Sequence, residues 1–167
     1  MQKKKHIVFI GMPGAGKSTL GVVLAKALGY GFLDSDLVIQ EEEGKLLSEI
    51  IEELGTEGFN EVENKINSRI NPKNPTIIAT GGSAVYGREA MEHFKRIGKI
   101  VYINLPFDEI DRRVGCIKER GISIERGKTL RDLYFERQSL YEKYADVEID
   151  TSGLSILEAV EKIKKSI

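Results

Sequence analysis

Apolar residues along this chain fall into two kinds of run. Short, nearly unbroken ones cover His6–Ile10, Thr76–Thr80, Lys99–Asn104 and Val147–Asp150, as in Ile7-Val8-Phe9-Ile10 and Ile100-Val101-Tyr102-Ile103. Such runs predict strands covered on both faces, because a strand wetted on one face alternates apolar with polar residues. Phe32–Leu33 predicts the end of one more strand. Longer segments with apolar residues three and four apart predict helices over Ser18–Leu28, Asp36–Glu43, Ser48–Leu54, Thr56–Ile70, Arg88–Ile97, Phe107–Glu119, Leu130–Tyr144 and Ser155–Ser166. Strands alternate with helices, which argues for βαβ units and an α/β fold, a parallel sheet between two helical layers in a three-layer α/β/α sandwich.

Turn residues divide these segments. Gly29 and Gly31 follow the first helix, Gly55 and Gly58 are expected to bracket a turn, and Asn71-Pro72-Lys73-Asn74-Pro75 ends a helix. No segment has the composition of an interdomain linker and no repeat is visible, so residues 1–167 are expected to form one domain. One segment escapes the regular pattern. In Ile117–Thr129, the charged residues Lys118, Glu119, Arg120, Glu125, Arg126 and Lys128 are interleaved with Gly121 and Gly127. That pattern fits a mobile lid and fits a solvated surface loop equally well.

Composition narrows the function classes. The 167 residues are 41% apolar and 31% charged, enough for one sizeable core. With 25 basic against 26 acidic side chains the net charge is −1, which gives no general attraction to nucleic acid or anionic membranes. The early apolar run Ile7–Ile10 is far shorter than the roughly 20 residues that span a bilayer, so a cytoplasmic protein is expected. Cys116 is the one cysteine, which excludes an internal disulfide and a four-cysteine zinc site.

The strongest chemical signal is Gly11-Met12-Pro13-Gly14-Ala15-Gly16-Lys17-Ser18, a G-x-x-x-x-G-K-[ST] octet between a predicted strand and a predicted helix. Glycines let the backbone wind so that its N–H groups aim at phosphate oxygens, and the helix that follows presents its positive end there. Lys17 suits the β- and γ-phosphates and the Ser18 hydroxyl suits Mg²⁺. Two carboxylates follow in Phe32-Leu33-Asp34-Ser35-Asp36, at the carboxyl end of a strand, where ligands bind in open α/β sheets. Close carboxylates repel, so such a pair usually holds a cation or uses one member as a proton acceptor. Asp34 or Ser35 is also suited to capping the next helix.

Two weaker signals complete the set. Thr80-Gly81-Gly82-Ser83 follows a predicted strand, and paired glycines let a ligand approach backbone or simply make a tight turn. Arg112, Arg113, Arg120, Arg126, Arg131 and Arg137 surround the lid segment, and arginine entering from a closing loop stabilises charge on a transferred phosphoryl group. Asp108–Arg112 and Glu109–Arg113 also have the spacing of i, i+4 surface ion pairs. His6 and His93 have no catalytic setting, and Cys116 has no base partner. A GTPase switch needs N-K-x-D, for which the nearest match, Asn64-Lys65-Ile66-Asn67, lacks the aspartate.

Taken in order, G-M-P-G-A-G-K-S, F-L-D-S-D, G-G-S-A-V, the Arg120 segment and Glu136-Arg137-Gln138-Ser139-Leu140-Tyr141 resemble the shikimate kinase family over almost the whole chain. The resemblance implies a P-loop NTPase fold of the nucleoside-monophosphate-kinase type with a five-stranded parallel sheet. It implies that Gly14, Ala15, Gly16, Lys17, Ser18 and Thr19 hold the ATP phosphates, with Ser18 on Mg²⁺ and Asp34 near it. Asp36 is then expected to bind the shikimate hydroxyls and take the proton. Gly81 and Gly82 would line the substrate site, Arg113 would pack on adenine, Arg120 would reach the phosphates from the lid, and Arg137 would bind the shikimate carboxylate. The implied reaction is ATP + shikimate → ADP + 3-phosphoshikimate; a monomer is expected.

One position departs from that pattern. The family shows F-R-x-x-E after the D-x-D unit, its arginine being a second clamp on the carboxylate, whereas this chain reads Phe59-Asn60-Glu61-Val62-Glu63. An amide loses the charge-assisted part of the bond, about 1.5–3 kcal/mol. At about 100° per residue, Lys65 and Arg69 point roughly 140° and 180° away on the helix, which leaves Arg88 as a candidate substitute. The third glycine of the usual G-G-G turn is Ser83. Asn60 is compatible with shikimate held by Arg137 at reduced affinity. It is also compatible with another small hydroxylated metabolite or a nucleoside monophosphate as acceptor.

Overall fold

The computed structural model describes residues 6–115 and 127–167. Five strands, β1 (His6–Ile10), β2 (Gly31–Asp34), β3 (Thr76–Ala79), β4 (Gly98–Asn104) and β5 (Val147–Asp150), pair in parallel in the order β2-β3-β1-β4-β5. The three inner strands are those with the most continuous apolar runs, and Val8, Phe9, Ile10, Ile77, Ile78, Ile100 and Val101 are fully buried. The helices are α1 (Lys17–Leu28), α2 (Ser35–Glu43), α3 (Leu47–Asn67), α4 (Arg88–Ile97), α5 (Phe107–Gly115), α6 (Leu130–Tyr144) and α7 (Ile156–Ser166), with a 3₁₀ turn at Ala84–Tyr86. The predicted three-layer α/β/α architecture is the observed one: α1 packs on β1, β2 and β3 and against α7, while α4 and α6 pack on β4.

Helix starts follow from side chains that satisfy otherwise orphaned N–H groups. Thr129 and Asp132 form a reciprocal capping box at α6, and Ser155 and Glu158 form another at α7. A second, smaller apolar cluster of Ile39, Ile50, Phe59 and Ile66 joins α2 to α3 beside the carboxyl edge of the sheet. It is the wall on which the acceptor side of the site is built.

The two predicted helices Ser48–Leu54 and Thr56–Ile70 are found as the two arms of α3, parted by a kink at Gly55, where φ is 70° and ψ 179°. Three expectations need correction. Gly58 lies inside the second arm and brackets no turn; a Cβ there would come within 2.7 Å of the Leu54 Cβ across the bend. The helix stops at Asn67 because the Ser68 hydroxyl donates to the Lys65 carbonyl and competes with the helical ladder. Arg112 pairs with Glu109 at 2.6 Å rather than with Asp108, and Arg113 shares the same carboxylate. The last residues of the predicted helix Phe107–Glu119 and residues 117–126 of the lid segment, with Arg120 and Arg126, lie outside the described residues, as does Cys116.

Candidate active site

The loop between β1 and α1 has the winding expected of its glycines: φ is 147° at Gly11, 80° at Gly14 and 90° at Gly16, a left-handed region closed to most side chains. Gly16 is the N-cap of α1 with no side chain closing the helix end, so the N–H groups of the first turn face outward. Lys17 is buried, and its Nζ donates to the carbonyls of Gly11 at 2.6 Å and Met12 at 2.7 Å. Burial lowers its ammonium to about 8, against the pull of the Asp36 charge.

Asp34 does two things at once. Its Oδ1 accepts from the Asp36 N–H at 2.9 Å and caps α2, while its Oδ2 accepts from the Ser18 hydroxyl at 2.8 Å. The capping role and the site role suggested by the sequence therefore coexist in one carboxylate. Asp36 projects from the first turn of α2 into the cleft. Burial and then the nearby Asp34 charge push its carboxyl up to about 6, with Lys17 pulling it back.

Opposite these lies the turn after β3. Thr80 ties it to β1 through a hydroxyl bond to the Phe9 carbonyl at 2.8 Å. Neither Gly81 nor Gly82 has a positive φ; both are glycine because space is absent. A Cβ at Gly81 would meet Asp36 Oδ1 at 2.7 Å and Glu63 Oε2 at 3.0 Å, and one at Gly82 would meet Pro13 at 2.6 Å and an Arg137 nitrogen at 2.9 Å. The Gly82 carbonyl accepts from the Tyr141 hydroxyl at 2.7 Å, and Ser83 Oγ donates to Glu63 Oε1 at 2.5 Å. Arg137, from α6, is only 1% exposed, with its guanidinium 5.4 Å above the Tyr86 ring.

These groups line one cleft of about 530 Å³, reached by Gly14, Lys17, Ser18, Asp34, Asp36, Gly81, Gly82 and Arg137 together with Leu46, Leu47 and Phe59 of the α2–α3 wall. Among the described residues lining it the cations are Lys17 and Arg137. Other sequence candidates sit elsewhere. Ala15 is buried under the loop, Thr19 is exposed on α1, and Arg113 stands beside the loop and donates to the Gly14 carbonyl at 3.1 Å. Asn60 is half-buried behind the lining residues, with its Oδ1 buried and unpartnered among the described residues. Arg88, the candidate substitute for an arginine there, is on the surface and pairs with Glu92.

Sequence reasoning missed Glu63, Tyr86 and Tyr141. Glu63 carried a signal, since it shares a helix face with Phe59 and Ile66, both core residues. Tyr141 closes the Glu136–Tyr141 segment that carried part of the resemblance but was given no role there, and Tyr86 carried no signal; the contacts they make, with Gly82 and Arg137, span 59 and 51 positions of chain.

Chemically, the arrangement sets an anion cradle and a buried ammonium against a carboxylate and a buried guanidinium, which suits transfer of a phosphoryl group to an alcohol of an anionic molecule. Comparison with known proteins agrees. The sequence model of the shikimate kinase family matches residues 13–167. A shikimate kinase of Thermodesulfovibrio yellowstonii is 37% identical over 163 residues, covering 96% of this chain and 94% of the relative. The structure of the Acinetobacter baumannii shikimate kinase in complex with shikimate superposes with a TM-score of 0.88 at 30% identity, covering 99% of this chain and 93% of that one. The Aquifex aeolicus shikimate kinase superposes with a TM-score of 0.77 at 28% identity, covering 96% and 95%.

Proposed function

The chain belongs to the shikimate kinase family of ATP-dependent kinases, and on that premise we propose how its residues transfer the terminal phosphoryl group of ATP to the shikimate 3-hydroxyl. The nucleotide phosphates lie along the loop Gly11–Ser18, against the N–H groups of Gly14, Ala15 and Gly16 and of Lys17, Ser18 and Thr19 at the start of α1. Lys17 exchanges its two carbonyl partners for phosphate oxygens, whose negative charge offsets the burial that lowers its ammonium.

Ser18 Oγ and Asp34 Oδ2, 2.8 Å apart, are hard oxygen donors of the kind Mg²⁺ takes when phosphates and water supply its remaining ligands. Magnesium bound there would neutralise charge on the phosphate oxygens. The described residues hold no cluster of three or more histidine, cysteine or carboxylate ligands, which accords with a cation held mainly by the nucleotide.

Shikimate occupies the other half of the cleft, its carboxylate on Arg137 and its hydroxyls at Asp36 and the Gly81–Gly82 turn. With a carboxyl near 6, Asp36 is mostly ionised at neutral pH and can take a proton. The shikimate oxygen attacks the γ-phosphorus, the bond to the β–γ bridging oxygen breaks, ADP carries off that electron pair, and the hydroxyl proton passes to Asp36. Positioning and fixed charge supply the acceleration. We assign Arg120 the role of reaching the phosphates from a lid at 117–129 and Arg113 that of flanking the adenine. We read the working unit as a monomer. No helix among the described residues is long and apolar enough to cross a membrane, and we read the enzyme as cytoplasmic with neither nucleic acid nor membrane as partner.

The observation that carries this reading is that Asp36 and Arg137, from two different helices, face the phosphate loop across one cleft. Asp36→Asn is expected to lower kcat by about 10²–10⁴-fold, the usual contribution of a positioned base, with ATP affinity nearly unchanged. Steady-state kinetics with coupled ADP detection, together with ATP titration, check this; wild-type kcat in the variant would overturn the role. Shikimate is expected to support turnover in a panel with quinate, gluconate, homoserine, AMP, CMP and dTMP, and robust ADP release with any nucleotide acceptor would reject the assignment.

A further inference from the structure

One face of α3 carries Asn60, Glu63 and Asn67 toward the interior, and each holds a polar atom that is buried without a hydrogen-bond partner among the described residues: Asn60 Oδ1, Glu63 Oε2 and both amide atoms of Asn67. Leaving such groups unsatisfied costs about 1–3 kcal/mol each, so packing alone is a poor account of the face. Glu63 is the member that touches the site. Its Oε1 accepts from Ser83, and its Oε2 approaches the same point beside Gly81 as Asp36 Oδ1. A charged carboxylate oxygen buried there with no donor would be far costlier than a neutral one.

Groups facing Glu63 come from every element around it. Lys17 belongs to α1, Asp36 to α2, Ser83 to the turn after β3, and Arg137 and Tyr141 to α6. From α4, Glu89 takes the amide of Asn64 on the neighbouring face. The two cations do not offset burial, and the Glu63 carboxyl is pushed up to about 8.

We propose that Glu63 is a positioning residue for an anionic acceptor: in its neutral form it holds the Gly81–Ser83 turn and adds no negative charge beside Arg137. The turn it holds is the one that seats Gly82 against Arg137 and Gly81 against Asp36. When Glu63 ionises, its charge draws on the guanidinium that serves the acceptor's carboxylate and repels that carboxylate directly. Glu63 thus sets acceptor affinity without entering the chemistry of transfer. This rests on the reading of shikimate as acceptor.

The test is acceptor KM and kcat against pH, across the region about 8 where Glu63 ionises, for the wild type, Glu63→Ala and Glu63→Gln, with shikimate binding measured in parallel by calorimetry. Glu63→Ala is expected to raise the shikimate KM about tenfold or more while kcat falls less than about threefold, equivalent to about 1.4 kcal/mol of acceptor binding. Glu63→Gln, neutral at every pH and of the same size, is expected to restore KM to within about threefold. It is also expected to abolish the alkaline rise in KM that the wild type shows. Ser83→Ala removes the donor that favours the charged carboxylate, so it should shift that rise to higher pH. An alkaline rise identical in wild type and Glu63→Gln would overturn the role of Glu63 alone, as would a Glu63→Gln variant no better than Glu63→Ala. A wild type inactive on shikimate would overturn the proposed function itself.

Discussion

Asn60 and Ser83 are the two positions where this chain departs from the family pattern, and both border Glu63. Asn60 supplies no charge to Glu63, and Ser83 supplies a hydroxyl. Asn60→Arg would set a guanidinium one helical turn from Glu63, allow it to ionise as a partner, and add a cation near the acceptor carboxylate. The expected result is a shikimate KM lowered about tenfold, the effect of about 1.4 kcal/mol; an unchanged or higher KM in steady-state kinetics counts against it. The same carboxyl couples to stability. Its value of about 8 in the folded chain lies above the ordinary 4.5, so the folded state keeps a proton that the unfolded chain releases. Stability from this group is complete below the ordinary value and is lost as pH rises toward 8. Melting temperature should therefore fall over that range in the wild type and fall less in Glu63→Gln, by about 2–4 °C for each kcal/mol involved, as calorimetry can measure.

Among elements, α3 does most to shape the acceptor side. Its first arm supplies Leu47 and Ser48 and its second arm Phe59, and the bend at Gly55 lets both face the cleft. Nothing lies within 4 Å of a Cβ built on Gly55, so Gly55→Ala tests the backbone alone. A side chain at φ 70° and ψ 179° costs about 1–3 kcal/mol, and the expected outcome is a lower melting temperature with a raised acceptor KM and an unchanged ATP KM. A variant as stable as the wild type would mean that the bend straightens freely. The strands and most helices were legible in the sequence because their apolar spacing and their capping residues are local. The break between the two arms was legible too, since Gly55 announces a departure from helical geometry; the direction in which the second arm leaves it was not.

At the scale of the molecule, the carboxyl edge of the sheet gathers groups from distant segments. Tyr141 illustrates it: on α6, it stacks on Tyr102 of β4 at 5.0 Å between ring centroids and donates its hydroxyl to the Gly82 carbonyl. Tyr141→Phe keeps the ring and orphans a buried carbonyl, a loss of about 1–3 kcal/mol. Thermal unfolding should show that loss, and the acceptor KM should rise with it because the Gly82 turn loses its anchor. The phosphate loop and the D-x-D pair needed no tertiary information, since each is a contiguous stretch whose chemistry depends on neighbours in sequence. The seating of Arg137 between Gly82 and Tyr86, the isolation of Asn60 behind the cleft and the buried Glu63 were decided only when α3, α6 and the turn after β3 came together. Burial and charge at those positions are set by atoms dozens of residues away, and a linear pattern carries no measure of that distance.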